Sequence, residues 1–268
     1  VAPRLFGKSN LDLRLRGIAG SRKQVLDDRG IDLPNWRESY QAASDALDLT
    51  GFAKHIRAPH LPHAVIVDCS ASADVAAHYA DWLAQGIHIV TPNKQAGSAP
   101  LAQYRKTREA ARHGHWRYEA TVGAGLPVIQ TLRDLRETGD EVSSIEGIFS
   151  GTLAYLFNVY DGSTPFSDIV RDAKQRGYTE PDPRDDLSGT DVARKLIILG
   201  REMGLALEMS DVKIESLVPA GLEKGSIDEF LTALPKHDDA MRQRFESARG
   251  RGKVLRYVGR LTAEGAAT

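Results

Sequence analysis

Carboxylate side chains are concentrated in one segment of the sequence, GYTEPDPRDDLSGTDVARK at residues 177–195. Glu180, Asp182, Asp185 and Asp186 fall within seven positions, and two prolines in the same stretch restrict the backbone. Carboxylates on a stiff loop can hold the ammonium group of a ligand or a divalent ion. The spacing does not match the calcium-binding loop pattern. The segment therefore predicts a loop that binds an amine or another cation.

Asp191 and Lys195 follow that loop and lie four positions apart on a helix predicted over residues 190–203. Apolar residues flank the stripe that they form with Glu202, which favours an acid–base pair in a cleft. The alternative is structural. Ser188 and Asp191 have the spacing of a capping box, and Lys195 would then form an ordinary surface salt bridge worth about 0.2–0.5 kcal/mol. Both interpretations remain open from spacing alone.

The first half of the chain alternates strand-like and helix-like patterns, which predicts a parallel sheet with right-handed crossovers. The predicted strands are residues 13–19, 64–67, 87–90 and 116–120, and the strand at 64–67 is expected to be buried on both faces. The predicted helices are residues 74–85 and 101–113. Glycines follow them at 86 and 114, where a left-handed cap is expected.

Each predicted strand ends in small or polar residues: GSRK at 20–23, DCS at 68–70, TPNK at 91–94 and TVGAG at 121–125. The carboxyl ends of parallel strands meet at one sheet edge, where open α/β sheets bind ligands. The alternative is that these segments have no binding role and are polar because strands end in turns, which are usually polar.

The pattern changes near residue 140 to a mixed α+β arrangement. Strands are predicted at residues 141–149, 212–218 and 253–260, and helices at 153–160, 167–176 and 190–203, with two further helices before the last strand. The sequence therefore predicts two domains, 1–140 and 141–268.

Composition excludes several classes of protein. Lys and Arg total 35 against 36 Asp and Glu, interspersed along the chain, so a nucleic-acid partner is not expected. No apolar run is long enough to span a membrane, and the single cysteine excludes a disulfide framework. Cys69 is expected to be an inert core or crevice thiol, and the histidines to form no metal site. We expect a soluble, cytoplasmic protein with a small-molecule substrate.

From about residue 13 to its end, the chain resembles the homoserine dehydrogenase family. The resemblance is greatest to the dehydrogenase part of bifunctional aspartokinase/homoserine dehydrogenases. The matching motifs are TPNK (91–94), EATVGAGLP (119–127), GIFSGT (147–152), GYTEPDPRDDL (177–187), GTDVARK (189–195) and KVLRYVG (253–259).

The resemblance implies an α/β fold in which a partial Rossmann-type parallel sheet precedes an α+β catalytic and dimerisation domain. Residues 1–140 would be the dinucleotide-binding domain, and residues 141–268 would bind substrate. The implied reaction is the NAD(P)-linked interconversion of L-aspartate 4-semialdehyde and L-homoserine, in threonine and methionine biosynthesis.

The resemblance also implies roles for individual residues. Lys195 matches the acid/base lysine of the family, Glu180 and Asp191 match substrate-binding residues, and Lys94 matches a lysine close to both substrate and cofactor. Ser70 and Gly177 match cofactor contacts. The backbone carbonyls of four residues match a monovalent-cation site that usually holds sodium: Glu119, Val122, Ala124 and Leu126.

Two basic residues bear on the choice of cofactor. Arg22 and Lys23 follow a predicted strand and could hold a ribose 2′-phosphate, which favours NADP over NAD. A solvated turn is the alternative.

The sequence departs from the family pattern at both ends, where a first strand–GxGxxG–helix unit and further C-terminal strands are expected. We therefore expect a chain truncated at both ends, from a homodimer or higher homo-oligomer and possibly fused to an aspartate kinase domain. The alternatives are a catalytically inactive fragment that serves as a binding or oligomerisation module, and a dehydrogenase for another amino-acid semialdehyde.

Overall fold

The computed structural model describes residues 2–262 and 264–268, which form two compact units. The first unit contains Val1–Asn93 and Arg105–Tyr118, and the second contains Lys94–Tyr104 and Glu119–Thr268. The domain boundary near residue 140 stays a prediction.

The first unit is built from short strands and helices. In chain order they are α1 (Ala2–Ser9), β1 (Gly17–Ala19), β2 (Gln24–Leu26), α2 (Trp36–Ala42), α3 (Leu49–Ile56), β3 (Ala64–Val67), α4 (Ala73–Ala77), α5 (Tyr79–Ala84), β4 (Ile87–Val90), α6 (Leu101–Ala110, whose first four residues belong to the second unit) and β5 (Trp116–Arg117).

A parallel sheet with the strand order β3-β4-β5 confirms three of the predicted strands. The last is shorter than predicted because a 3-10 turn begins at Glu119. Tyr79 and Leu83 of α5 are fully buried, as are Ile87 and Ile89 of β4. Successive side chains of a strand point to opposite faces, and alternate residues of β3 are exposed. The expectation that this strand is buried on both faces is therefore wrong for the described chain.

The first predicted strand lies outside this sheet. Residues 17–19 form β1, which pairs antiparallel with β2 in a separate two-stranded sheet. The Gly20 N–H donates to the Lys23 carbonyl at 2.9 Å and closes the turn. A turn this short joins antiparallel strands, whereas parallel neighbours need a long crossover. The prediction of a parallel strand at residues 13–19 is therefore wrong.

The two glycines expected to cap helices differ. Gly86 follows α5 with φ at +80°, as predicted. Gly114 has no positive φ, because α6 ends at Ala110 and a turn precedes the glycine. A Cβ at Gly114 would lie 2.7 Å from the Ile87 carbonyl oxygen, so glycine is needed there for close approach to β4. The helix predicted over 74–85 is present as α4 and α5, which meet at His78.

The second unit is mostly helical. Its further elements are a 3-10 turn (Glu119–Thr121), α7 (Val128–Glu137), β6 (Ser144–Gly147), α8 (Gly151–Val159), α9 (Phe166–Gln175), α10 (Pro183–Leu187), α11 (Thr190–Glu202), a 3-10 turn (Met209–Asp211), β7 (Val212–Lys213), α12 (Ile227–Ala233), a 3-10 turn (Leu234–His237), α13 (Asp238–Gly250), β8 (Gly259–Thr262) and β9 (Gly265–Ala267).

Helix α11 forms the centre of the second unit. The four strands pair in the order β6-β8-β9-β7, and α11 packs against β8 and β9. Leu196 and Ile197 of α11 are fully buried, as is Leu261 of β8. The predicted helices over 153–160, 167–176 and 190–203 are confirmed to within two residues at each end.

Three strands of this unit differ from the predicted bounds. The strand predicted over 141–149 is present only as β6, Ser144–Gly147. Residues 253–258 are not a strand. In that segment the Arg256 guanidinium donates to the Phe157 carbonyl (3.0 Å) and the Tyr257 hydroxyl donates to the Glu215 carbonyl (2.8 Å). The strand predicted over 212–218 ends at Lys213. Among the described residues, no helix is long and apolar enough to cross a membrane.

Candidate active site

Two lysines share one carboxylate in the second unit. The Lys195 Nζ lies 2.7 Å from Asp191 Oδ2, and the Lys94 Nζ lies 3.2 Å from Asp191 Oδ1. Lys195 also donates at 2.6 Å to the carbonyl of Phe149, which lies in the loop between β6 and α8. The structure thus brings together Lys94, Asp191 and Lys195, which we call the lysine cluster.

The start of α11 explains why Asp191 is available to this cluster. Gly189 precedes the helix with φ at +73°, and no side chain caps the helix there. The Ser188 hydroxyl accepts from the Thr190 N–H at 3.2 Å, and Asp191 plays no part in a cap. A Cβ at Gly189 would overlap the Tyr257 hydroxyl, so the glycine supplies both the left-handed turn and the necessary space. The capping-box alternative is therefore wrong.

The surroundings of the cluster set its charge. The Lys195 side chain is only 16% exposed, whereas that of Asp191 is 39% exposed. Burial raises the pKa of the Asp191 carboxyl, but the ammonium groups of Lys195 and Lys94 outweigh burial and hold the pKa below its usual value. Asp191 is thus an ionised carboxylate between two cations. Within the described residues, Asp191 and the Phe149 carbonyl accept two of the three N–H groups of the Lys195 ammonium. The third N–H group can bind a ligand.

The acidic loop supplies a second pair of carboxylates. Asp186 Oδ2 accepts from the Glu180 backbone N–H at 2.8 Å, and the Glu180 side chain is exposed. Burial raises the pKa of the Asp186 carboxyl, and the negative charge of nearby Asp191 adds to this rise. Asp186 was not among the predicted site residues. Its place in the acidic loop was a signal, but only the fold shows that it fixes the backbone of Glu180.

The other two acids of this loop have different surroundings. Asp182 caps α10 by accepting from the Arg184 N–H at 3.0 Å, and its carboxylate also binds the Arg184 guanidinium at 2.6 Å. This guanidinium lowers the pKa of the Asp182 carboxyl. Asp185 is exposed. Half of the acidic run is thus separate from the lysine cluster.

A buried polar network lies at the carboxyl ends of β3 and β4 in the first unit. The Asp68 carboxylate accepts from the Tyr79 hydroxyl and from the Asn93 amide (2.9 Å), and the Tyr79 hydroxyl also lies 3.0 Å from Thr91 Oγ1. All four side chains are buried. Burial, with the carboxylate as acceptor, raises the pKa of Tyr79 well above its usual range. We call these residues the Asp68 cluster.

The Asp68 cluster organises the loop that carries the predicted cofactor contact Ser70. The Ser70 N–H donates to Asp68 Oδ1 at 2.8 Å, and the Asn93 amide donates to the Ser72 carbonyl at 2.9 Å. Ser70 itself is exposed. In the second unit, Gly177 has φ at +72° and no atom within 4 Å of a Cβ built on it. Within the first unit, the exposed Ser70 hydroxyl lies at a parallel-strand edge, the place where open α/β sheets bind ligands.

The residues expected to hold a 2′-phosphate lie in the β1–β2 turn. The Lys23 Nζ donates to the carbonyls of Gln41 (2.8 Å) and Ala43 (3.1 Å) and lies 5.0 Å from the centre of the Tyr40 ring. Arg22 is exposed. Lys23 therefore fastens the hairpin to the end of α2, which neither sequence interpretation anticipated.

The predicted monovalent-cation loop is a compact turn before α7. Positive φ at Gly123 (+80°) and Ala124 (+52°) reverses the backbone. The Leu126 carbonyl accepts from the Val128 N–H at 2.9 Å, and the Glu119 carboxylate accepts from the first N–H groups of α7. The binding of a cation by the carbonyls of this loop stays a prediction. Among the described side chains, no group of three or more His, Cys, Asp and Glu could hold a metal ion.

The remaining cysteine and histidine expectations concern the first unit. Cys69 is exposed, so its expected place in a core or crevice is wrong. His88 lies between His63 and His115, with ring centroids 6.1 Å and 5.0 Å away. Burial, and then the neighbouring imidazoles, lower the pKa of His88.

Comparison with known proteins defines first a class and then a family. Residues 5–120 match the model of the NAD-binding domain of homoserine dehydrogenase, so the first part of the chain is similar to the class of nicotinamide-dinucleotide-binding domains. Residues 127–267 match the model of homoserine dehydrogenase itself. The chain belongs to the homoserine dehydrogenase family.

Similar proteins support this membership. The chain is 54% identical over 254 residues to bifunctional aspartokinase/homoserine dehydrogenase 1 of Zea mays, covering 93% of the chain and 28% of that protein. It is 43% identical over 265 residues to bifunctional aspartokinase/homoserine dehydrogenase 2 of Escherichia coli, covering 98% of the chain and 33% of that protein. The chain thus spans about a third or less of the length of these relatives.

Solved structures share the fold. A Candida auris protein of unknown function superimposes with a TM-score of 0.84 at 38% identity, over 92% of this chain and 72% of that one. A hyperthermophilic archaeal homoserine dehydrogenase in complex with NADPH superimposes with a TM-score of 0.70 at 17% identity, over 99% of this chain and 75% of that one. At this identity the comparison shows similarity of fold alone.

Proposed function

We propose that the protein carrying this chain interconverts L-aspartate 4-semialdehyde and L-homoserine with NAD(P)H, and that Lys195 exchanges the proton. The observation that carries the proposal is the lysine cluster. Lys195 is held by Asp191 and by the Phe149 carbonyl, and its third N–H remains for a substrate oxygen.

The proposed chemistry follows from the charge that develops on the substrate. When bound, the nicotinamide supplies or accepts the hydride. Addition of hydride to an aldehyde makes its oxygen negative, so the Lys195 ammonium donates a proton to that oxygen and recovers it in the reverse direction. Lys94 adds a second positive charge beside the oxygen, which electrostatically stabilises the transition state.

The substrate ammonium requires a carboxylate partner. Asp191 already holds two ammonium groups, so Glu180 is the better supported partner for the substrate. The Glu180 side chain is exposed, and Asp186 fixes its backbone. In this proposal Asp191 orients the two lysines, and its direct contact with substrate is a secondary role.

For the cofactor, we propose NADP rather than NAD, bound by Ser70, Gly177 and Lys94. Arg22 is the better candidate for a 2′-phosphate, because Lys23 is engaged with backbone carbonyls. The archaeal homoserine dehydrogenase of similar fold is in complex with NADPH. The carbonyls of Glu119, Val122, Ala124 and Leu126 would hold sodium, whose part would be to stiffen the start of α7.

The whole protein is proposed to carry an aspartokinase domain, as the names of its relatives indicate for those proteins. It is also proposed to be a homodimer or higher homo-oligomer. A cytoplasmic location stays a prediction, since the Zea mays relative is named as chloroplastic.

The test is the homoserine-dependent reduction of NADP⁺ by the protein carrying this chain, followed by NADPH absorbance. We expect turnover with homoserine and little turnover with hydroxy amino acids whose side chain is one methylene shorter or longer, because Glu180 and Lys195 fix the distance between the ammonium and the hydroxyl group. Turnover with a different hydroxy amino acid but not with homoserine would contradict the proposed substrate. Unchanged turnover in Glu180→Gln would contradict the proposed ammonium site.

A further inference from the structure

A buried arginine lies on the same helix as Asp191 and Lys195. The Arg201 side chain is 1% exposed, and its guanidinium donates mainly to backbone carbonyls of other segments. It binds the Leu207 carbonyl at 2.8 Å and the Gly97 carbonyl at 2.9 Å, and it lies 3.4 Å from the Glu208 carboxylate. A buried charge with this many acceptors fixes the backbone around it.

One of the segments that Arg201 holds is Lys94–Tyr104, which carries Lys94. The Arg201 guanidinium lies 4.7 Å from the centre of the Tyr104 ring, and Glu208 Oε1 accepts from the Leu101 N–H at 2.7 Å. Gly97 approaches α11 so closely that a Cβ there would lie 2.9 Å from Ile198 Cγ1. The segment is therefore fastened to α11 at its middle and at its end.

The start of the same segment is fixed by its own hydrogen bonds. The Ser98 N–H and hydroxyl both donate to the Lys94 carbonyl at 2.9 Å. Lys94 is thus connected through one tight turn to the backbone that Arg201 binds. At the other end of α11, the Lys94 Nζ lies 3.2 Å from Asp191 Oδ1.

We propose that Arg201, assisted by Glu208, is a positioning residue that sets the place of Lys94 in the lysine cluster. Arg201 does not contact the reacting groups. It holds the Lys94–Tyr104 segment against α11, so that one helix carries Asp191 and Lys195 and also fixes the backbone of Lys94. The proposal deepens the proposed function, since it explains how Lys94 is placed.

The first test measures the position of Lys94 without measuring activity. Competitive acetylation with acetic anhydride, read by mass spectrometry, reports the reactivity of each lysine. We expect Arg201→Lys and Glu208→Gln to increase Lys94 acetylation several-fold, because a lysine cannot replace the planar guanidinium fork. The matched control is Arg133→Lys, which weakens a different ion pair of α11, the bidentate pair of Arg133 with Glu202 (2.7 and 3.0 Å). The control is expected to leave Lys94 acetylation unchanged.

An equal increase in Arg133→Lys would overturn the proposal, because general loosening of α11 would then explain the result. Unchanged Lys94 acetylation in both Arg201→Lys and Glu208→Gln would also overturn it. If Arg201→Lys does not fold, Glu208→Gln decides the outcome, since Glu208 is partly exposed.

The second test is a double-mutant cycle on kcat/KM for homoserine. If Arg201 acts through Lys94, Arg201→Lys lowers kcat/KM in the wild type but has no further effect in a Lys94→Ala background. Additive losses would contradict the proposal. A wild-type protein without dehydrogenase activity would contradict the proposed function and leave the acetylation result to decide the role of Arg201.

Discussion

The two polar clusters balance their charge in different ways. In the Asp68 cluster, one carboxylate accepts hydrogen bonds from neutral donors, and every member is buried. In the lysine cluster, one carboxylate lies between two ammonium groups, and its members are partly exposed. A buried network of this kind fixes shape, because each lost hydrogen bond leaves an unsatisfied polar group. A partly exposed charged cluster can exchange a proton with a substrate. We infer that the first is structural and the second is catalytic.

The largest expected effect separates the clusters by activity. Lys195→Met is predicted to lower kcat by roughly 10²–10⁴, the usual contribution of a general acid–base group. The free energy of unfolding should change little, because Met fills similar space. Steady-state kinetics measure the first and urea unfolding the second. The exposed residue Lys236 supplies the control Lys236→Met, and an equal loss of kcat there would show that the effect is not specific to the cluster.

The next largest effect separates the clusters by stability. Asp68→Asn is predicted to lower the free energy of unfolding by about 1–3 kcal/mol, because asparagine has one acceptor oxygen where the carboxylate has two. The single oxygen of the new asparagine can replace only one of these positions, so either the Ser70 N–H or both the Tyr79 hydroxyl and the Asn93 amide lose their acceptor. Urea denaturation measures the loss. A change close to zero would contradict the view that this cluster fixes the sheet edge.

Asp191→Asn is the matched substitution in the lysine cluster. Because the ion pairs are partly exposed, the free energy of unfolding should change by only about 0–1 kcal/mol. Turnover should nevertheless fall, since Asn holds the two ammonium groups weakly. Parallel urea and kinetic measurements test this. A loss of stability as large as that of Asp68→Asn would remove the distinction between the clusters.

The smallest effect is a pH dependence of the first unit. The pKa of His88 is lowered in the folded state from its usual 6.5, so the unfolded chain binds its proton more readily. The free energy of unfolding should therefore decrease as the pH falls through about 6.5. Thermal unfolding over this pH range should show a weaker dependence in His88→Gln than in wild type. The same slope in both would exclude His88 as the cause.

The sequence predicted several local elements well. The strands at 64–67 and 87–90 and the helix that carries Asp191 and Lys195 follow from short-range patterns. The hairpin of β1 and β2 was not predicted, because the local pattern of residues 13–19 does not show which other strand they pair with. The strand predicted over 253–260 is wrong for residues 253–258, whose Arg256 and Tyr257 side chains bond to carbonyls far away in the sequence.

The roles of Asp186 and Arg201 could not be predicted for a related reason. Each contacts backbone groups that no sequence motif identifies, those of Glu180 and of Gly97. A helical wheel places Arg201 away from the stripe of Asp191 and Lys195, but it does not show that the residue is buried.

The most direct measurement of the central claim is the rescue of Lys195→Ala by a small primary amine. Removal of the side chain leaves space beside Asp191 and the Phe149 carbonyl, where a methylammonium ion can bind. If the Lys195 ammonium exchanges the proton, the turnover of Lys195→Ala should be low and should rise with methylammonium concentration. Lys195→Met, in which the space is filled, should not respond. Wild-type turnover in Lys195→Ala without added amine would contradict the account.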